Sequence, residues 1–101
     1  MIVIPVTWDE NALDRHEAWA LQIALDFGLP SAKTYLVEID SIQETIAEFP
    51  LIGTEFDSPG HLHLRRIVTT SGYSVFYELD SMEQPTEANI VSIIRGQEQQ
   101  P

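Results

Sequence analysis

Two successive stretches of the chain repeat apolar residues at steps of three and four, which is the pattern of amphipathic helices. The first stretch ends at Gly28, a residue favoured at helix C-caps, and the second begins near Pro30 or Ser31 and ends at Pro50. The short link between them predicts an antiparallel helical hairpin. The predicted buried positions are Leu13, Ala20, Ile23, Ala24 and Phe27, bordered by Trp19, and then Ala32, Tyr35, Leu36, Ile39, Ile42, Ile46 and Phe49.

The first helix has a start signal of the form Thr-x-x-Glu at residues 7–10. In such a capping box the Thr7 hydroxyl accepts a hydrogen bond from the Glu10 amide, and the Glu10 carboxylate reaches back to the Thr7 amide. Asp9 and Glu10 would also lie at the positive end of the helix dipole. We therefore expect Thr7 to be the N-cap.

The rest of the chain has the shorter periodicity of β-strands. Residues 2–6 form a short apolar run that predicts a first strand, and residues 54–61 read as a loop broken at Pro59-Gly60. Residues 62–70 and 73–79 predict two strands joined by a hairpin turn at Ser71-Gly72. The second strand alternates cleanly, with Tyr73, Val75, Tyr77 and Leu79 on one face and Ser74, Phe76 and Glu78 on the other. Residues 89–94 are almost wholly apolar, which predicts a central strand or one covered on both faces.

These elements predict one α+β domain that spans residues 1–101. Its parts are an N-terminal strand, an antiparallel two-helix hairpin and a three-stranded antiparallel meander that forms one sheet with the first strand. A chain of 11.4 kDa buries roughly 65% of its unfolded surface, enough for a single core. The polar residues 96–101 are expected to fray.

Charge and cysteine content narrow the class of protein. Sixteen acids oppose five bases, giving a net charge of −11. Binding of nucleic acid rests mostly on Lys and Arg, so direct nucleic-acid binding should be weak or absent. The acids either keep the protein soluble or attract a basic partner. There is no cysteine and no apolar run of membrane-spanning length, which favours a cytoplasmic protein that does not enter the membrane.

Few residues are arranged as a known catalytic or metal site. Phosphate-binding loops, nucleophile elbows and zinc signatures do not occur. His61 and His63 would share one side of a strand near Glu55 and Asp57, but an exposed strand end explains them better than a metal site. We expect no bound metal and no cofactor.

Arginines of the predicted sheet are the more informative set. Arg65 and Arg66 are adjacent, so one faces the helices and the other lies on the open side of the sheet. Beside Tyr73 and Tyr77, these arginines and Arg95 could clamp a phosphate or carboxylate by bidentate hydrogen bonds. The alternative is that they pair with local acids such as Glu78 or Glu87 and protect the sheet edges.

The order of these motifs resembles the RelE/ParE superfamily, the toxins of bacterial toxin–antitoxin modules. The resemblance covers about residues 2–98 and rests on four segments. They are Val6-Thr7-Trp8-Asp9-Glu10-Asn11-Ala12, the helix ending at residues 42–53 with its Pro-x-x-Gly turn, Arg65-Arg66 followed by Tyr73-Ser74-Val75-Phe76-Tyr77, and Ile90-Val91-Ser92-Ile93-Ile94-Arg95-Gly96.

The resemblance implies one of two activities. Some members are ribosome-dependent endoribonucleases that cut mRNA, and ParE-like members inhibit DNA gyrase; both are neutralised by an antitoxin. Where the family often has His-Gly-x-Arg, this chain has Arg95-Gly96-Gln97-Glu98, and no tyrosine or histidine follows Tyr77. A dedicated general base is therefore not evident.

We accordingly expect a ParE-like toxin that acts by binding a protein, with gyrase as the candidate target and an antitoxin as partner. The expected partner-binding residues, which are also the catalytic candidates if the chain is a nuclease, are Arg65, Arg66, Tyr73, Tyr77 and Arg95. The alternatives are an mRNA endoribonuclease of RelE type and an interaction module that has kept the fold but lost the toxic activity.

Overall fold

The computed structural model describes residues 3–95, so the prediction of a frayed tail at 96–101 lies outside the described residues. Two helices precede most of a five-stranded sheet. The elements, in chain order, are β1 (Val6–Trp8), α1 (Glu10–Phe27), α2 (Leu29–Glu48), β2 (Thr54–Glu55), β3 (Leu64–Val68), β4 (Tyr73–Leu79) and β5 (Ala88–Arg95). The predicted α+β class, with a helical hairpin and one sheet that includes the first strand, is confirmed. The first strand itself was expected at residues 2–6, and its pairing with β5 places it at Val6–Trp8 instead.

The strands lie in the order β1-β5-β4-β3-β2. The first strand pairs with the last in parallel, and every other pairing is antiparallel. Because β5 lies between β1 and β4, it is an inner strand, and Ile90 and Ile93 are fully buried. This confirms the position that the apolar run at 89–94 predicted.

The sheet contains one strand more than the pattern predicted. Residues 54–61 were expected to be a loop, but Thr54 and Glu55 pair with Arg66 and Arg65 to form β2. Two residues are too short to show an alternation of polar and apolar positions, so the strand exists only because the preceding turn brings it against β3.

The prediction of a capping box at the start of α1 was wrong. The N-cap is Asp9, whose side chain forms no capping hydrogen bond, and the helix begins at Glu10. Thr7 belongs instead to β1, where its hydroxyl contacts Asn89 at 3.0 Å. Pairing of β1 with β5 keeps residues 6–8 extended, and the helix can therefore start only after them.

The buried side of α1 is rotated from the predicted one. Ala12 and Ile23 are buried and His16, Trp19, Ala20 and Ala24 are half-buried, whereas Leu13 is 39% and Phe27 65% exposed. Leu13 and Phe27 were both expected in the core. The side facing the sheet follows Ala12, a small residue only 2% exposed, and this places Leu13 about 100° further round the helix.

The predicted face of α2 is largely confirmed. Ala32, Tyr35, Ile39 and Ile46 are buried, and Ile42 packs against them. The prediction was wrong at two positions, because Leu36 is 40% exposed and Phe49 is 53% exposed. Phe49 lies beyond the last helical residue, where the chain turns away from the core.

Both predicted turns carry the glycine that their geometry needs. Gly28 joins α1 directly to α2 with φ +94°, and Gly72 closes the β3–β4 hairpin with φ +92°, values that favour glycine. The described helices include none that is long and apolar enough to cross a membrane.

Candidate functional site

Arg65 and Tyr77 face each other across β3 and β4 and together hold the turn that follows α2. The Tyr77 hydroxyl donates to the Pro50 carbonyl at 2.7 Å and accepts from the Gly53 amide at 2.9 Å. Arg65 donates from Nε to the Gly53 carbonyl at 2.7 Å and from Nη2 to the Leu51 carbonyl at 2.9 Å. Four hydrogen bonds therefore fix the turn at residues 50–53.

The same contacts determine the chemistry of the phenol. Burial raises the pKa of Tyr77, while the Gly53 amide and the Arg65 guanidinium partly oppose that rise. Tyr77 has no exposed surface in the described chain. A neutral, buried phenol that is engaged by two backbone groups stabilises structure and is poorly placed to move a substrate proton.

Arg66 lies on the opposite face of the sheet, as the alternation of adjacent residues predicted. Its guanidinium carbon lies 5.9 Å from the ring centroid of Phe56, and that ring packs edge-on against Phe76 at 5.0 Å. Phe76 forms a small second core with Leu64 and Ile94 on this face. Arg66 is half-buried, so its charge is held at a fixed place above an apolar base.

His61 and Glu78 form an ion-pair geometry that sequence reasoning did not join. The distance from His61 Nδ1 to Glu78 Oε1 is 2.7 Å, and both side chains are about one-third exposed. Glu78 lies two residues beyond Phe76, the cross-strand partner of Arg66, and therefore shares that face of the sheet. The alternation that places Glu78 on the same face as Phe76 was the one signal available from the sequence.

Tyr73 and Arg95 are cross-strand partners at the far end of β4 and β5. They line a cavity of about 310 Å³ between the sheet and the tip of the helical hairpin. Tyr73 is 4% exposed and contacts Tyr35, with 4.9 Å between the ring centroids, whereas Arg95 is exposed. The other residues of this cavity are Ile23, Phe27, Ser31, Thr34, Tyr35 and Ser71.

The five expected site residues consequently occupy three places. Arg65 meets Tyr77, Tyr73 meets Arg95, and these two pairs are about 13 Å apart at the usual rise of a strand. Arg66 is on the other face. The structure thus joins them in one sheet but not in one cluster.

A second buried polar group lies between the two helices and β1. His16 stacks on Trp8 at 4.9 Å between centroids, and its Nδ1 is 2.9 Å from the Tyr35 hydroxyl. Burial lowers the pKa of His16, against opposing effects of Asp40 and Glu17, and burial raises the pKa of Tyr35 well above its usual range. Sequence reasoning missed His16, although it lies four residues after Ala12 on the same side of α1.

Metal binding finds no support in residues 3–95, where no three histidine, cysteine or carboxylate side chains come together. His61 is engaged with Glu78, and His63 is exposed. The groups described above that could take part in binding or chemistry are therefore the arginine side chains, the His61–Glu78 pair and apolar surface.

This architecture is that of the RelE/ParE toxins. The solved structure of the chromosomal ParDE TA system from P. aeruginosa matches with a TM-score of 0.72 at 14% identity, over 94% of this chain and 98% of that one. The isolated E. coli RelE toxin matches with a TM-score of 0.57 at 15% identity, over 95% of this chain and 87% of that one.

Comparison of the sequence with family profiles identifies the family more specifically than the structural matches do. The profile of the family described as ParE toxin of type II toxin–antitoxin system, parDE, matches residues 6–100, and the chain belongs to this family. A search of curated proteins returns no match. The predicted kinship with the RelE/ParE superfamily is confirmed.

Proposed function

We propose that this chain is a cytoplasmic ParE-type toxin that acts by binding a protein, with DNA gyrase as its target, and that a cognate antitoxin neutralises it. The observation that carries this proposal is the match of residues 6–100 to the family of ParE toxins. The gyrase target is what the resemblance to ParE-like toxins implies. The net charge of −11 is consistent with a protein target, because it opposes docking on RNA.

Of the five expected site residues, the proposed contacts with the target are the half-exposed Arg66 and the exposed Arg95. Arg66 stands above Phe56, and Arg95 lies at the end of β5. Arg65, Tyr73 and Tyr77 act indirectly, because their side chains hold the turn at 50–53 and the packing beneath Arg95. In this proposal Arg66 and Arg95 bind the target, and the tyrosines keep the strands in register.

Expression in a bacterial host tests the function. Gyrase poisoning predicts DNA damage, filamentation and, with purified protein, inhibited supercoiling. Arg66→Ala and Arg95→Ala should weaken inhibition while costing no more than about 1 kcal/mol of stability. Co-expression of the neighbouring antitoxin gene should restore growth. Normal growth and uninhibited gyrase on expression of the folded protein would contradict the proposal and favour a module that has lost its toxicity.

One observation favours a second candidate function, the mRNA endoribonuclease. His61 and Glu78 supply an oriented acid–base group on the same face as Arg66, and cleavage of a phosphodiester needs both a proton acceptor and a cation. In a translation extract, a nuclease would cut mRNA, and His61→Gln would abolish cleavage. Under the gyrase proposal, no cutting occurs and His61→Gln leaves supercoiling inhibition unchanged.

A further inference from the structure

The outer edge of β1 has backbone groups available for another strand. The Pro5 carbonyl accepts from the Ala88 amide at 3.1 Å, and the Asp9 amide donates to the Ile90 carbonyl at 2.9 Å. Backbone groups alternate in direction along a strand, so those of Val6 and Trp8 point away from β5. The Ile4 amide, on the same side, already donates to the Ala47 carbonyl of α2 at 3.0 Å, so the open part of the edge is limited to Val6 and Trp8. Within residues 3–95, β1 is the last strand on this side of the sheet.

A recess flanks this edge on the side of the helices. Its volume is about 250 Å³, and its walls are Val6 from β1 and Asp40, Gln43, Glu44 and Ala47 from α2. Val6 is half-buried and supplies an apolar floor. A side chain on a strand added beside β1 would enter this recess, because alternate residues of that strand point toward the helices.

The helix wall of the recess is negatively charged. Asp40, Glu44 and Glu48 follow one another at steps of four and therefore lie on one side of α2, where like charges weaken the helix. Lys33 is the one base of α2 and lies nearly two turns before Asp40. The ion pairs Arg65–Glu55 and His61–Glu78 both lie outside α2.

We propose that the β1 edge binds an extended basic peptide segment, which pairs with the backbone of Val6 and Trp8 as a sixth strand. Lysine or arginine side chains of the segment enter the recess and meet Asp40 and Glu44, with their aliphatic stems against Val6. Pairing supplies the geometry and the carboxylates supply the preference for positive charge. The inference concerns this surface alone and stands whichever target the toxin has.

Charge disfavours the competing occupants of this edge. A nucleic acid would bring phosphates against Asp40 and Glu44. A second copy of the chain would bring another net charge of −11 to an acidic surface. A cationic polypeptide is the occupant that both the backbone edge and the acidic wall accept.

The test measures binding of labelled decapeptides to the full-length protein by fluorescence anisotropy. The probes are an alternating lysine–valine peptide, its glutamate–valine counterpart, and two lysine–valine peptides N-methylated on alternate residues, one in each register. The lysine–valine peptide should bind, and the glutamate–valine peptide should not. At least one N-methylated register should bind about tenfold more weakly, because it removes the pairing amides. On binding, hydrogen exchange should slow at Val6 and Trp8.

Two charge-matched double variants test whether the peptide binds at this site. Asp40→Asn with Glu44→Gln should weaken lysine–valine binding about tenfold, whereas Asp57→Asn with Glu83→Gln should change it less than about twofold. Asp57 and Glu83 are exposed and belong to the loop after β2 and the β4–β5 connection. Equal unfolding midpoints show that both variants fold. Absence of lysine–valine binding, undiminished binding of both N-methylated peptides, or equal losses in the two variants would overturn the proposal.

Discussion

The hydroxyl of Tyr77 lies 2.9 Å from the amide nitrogen of Gly53, and a Cβ added to Gly53 would lie 2.8 Å from the same hydroxyl oxygen. That separation is shorter than real contacts of this kind allow. The turn after α2 therefore depends on glycine for space and on tyrosine for hydrogen bonds. Since Arg65 binds the carbonyl of the same glycine, three distant positions in the sequence meet at one turn.

Tyr77→Phe should lower the free energy of unfolding by about 1–3 kcal/mol, because it leaves the buried Gly53 amide without its acceptor. Gly53→Ala should destabilise the protein through the close contact with Tyr77 and with the Arg66 carbonyl at 3.0 Å. In the double variant the two losses should sum to more than the observed loss, since removing the oxygen relieves part of the contact. Urea denaturation of all four proteins measures this, and strict additivity would contradict the proposed contact.

Arg65→Gln and Arg66→Gln should separate stability from activity. Arg65 makes two hydrogen bonds to backbone carbonyls, so its loss should cost about 1.5–3 kcal/mol. Arg66 is half-exposed above Phe56, so its loss should cost about 1 kcal/mol or less. Thermal unfolding and supercoiling inhibition, measured side by side, check the pair. Equal destabilisation by both changes would show that the two faces were assigned incorrectly.

Phe56→Ala and Phe27→Ala should differ although the chemical change is the same. Phe56 packs on Phe76 and supports Arg66, so truncation should cost about 1–3 kcal/mol and uncover a core ring. Phe27 is 65% exposed, and its truncation should cost less than about 1 kcal/mol. Chemical denaturation of both variants provides the comparison. A larger loss at Phe27 would support the burial that its helical spacing predicted.

Stability should fall as the pH drops below about 6.5, the unfolded-state pKa of histidine. Burial lowers the pKa of His16 in the folded protein, so the unfolded chain binds the extra proton first. The loss develops from the unfolded pKa downward and is complete below the folded one. His16→Phe should flatten this part of the profile, and the exposed His63→Gln should leave it intact. A profile unchanged by His16→Phe would assign the dependence to other groups.

The predictable parts of the fold were those with a long or strict period. The alternation of residues 73–79 correctly separated Tyr77 and Val75 on one face from Phe76 on the other, and the structure shows that the Tyr77 face packs against the helices. The apolar run at 89–94 correctly gave an inner strand. The two-residue β2 and the parallel pairing of β1 gave no such signal, because both exist only through contact with strands distant in sequence.

The candidate site shows the same division at the level of single residues. Adjacent arginines had to point to opposite faces of a strand, and they do. Nothing in the sequence indicated that Arg65 would bind the Leu51 and Gly53 carbonyls while Arg66 would remain half-exposed. The register of β3 decides which of the two arginines points toward the turn at residues 50–53. That register is set by pairing with β2 and β4.

The sequence by itself determined the α+β class, the helical hairpin, the excess of acid and the kinship with the RelE/ParE toxins. Each follows from local periodicity, from composition or from the order of motifs. Tertiary structure alone decided the buried side of α1, the meeting of His61 with Glu78 and the division of the five expected residues among three places. Those features depend on how distant segments approach one another, and a one-dimensional pattern does not encode such distances directly.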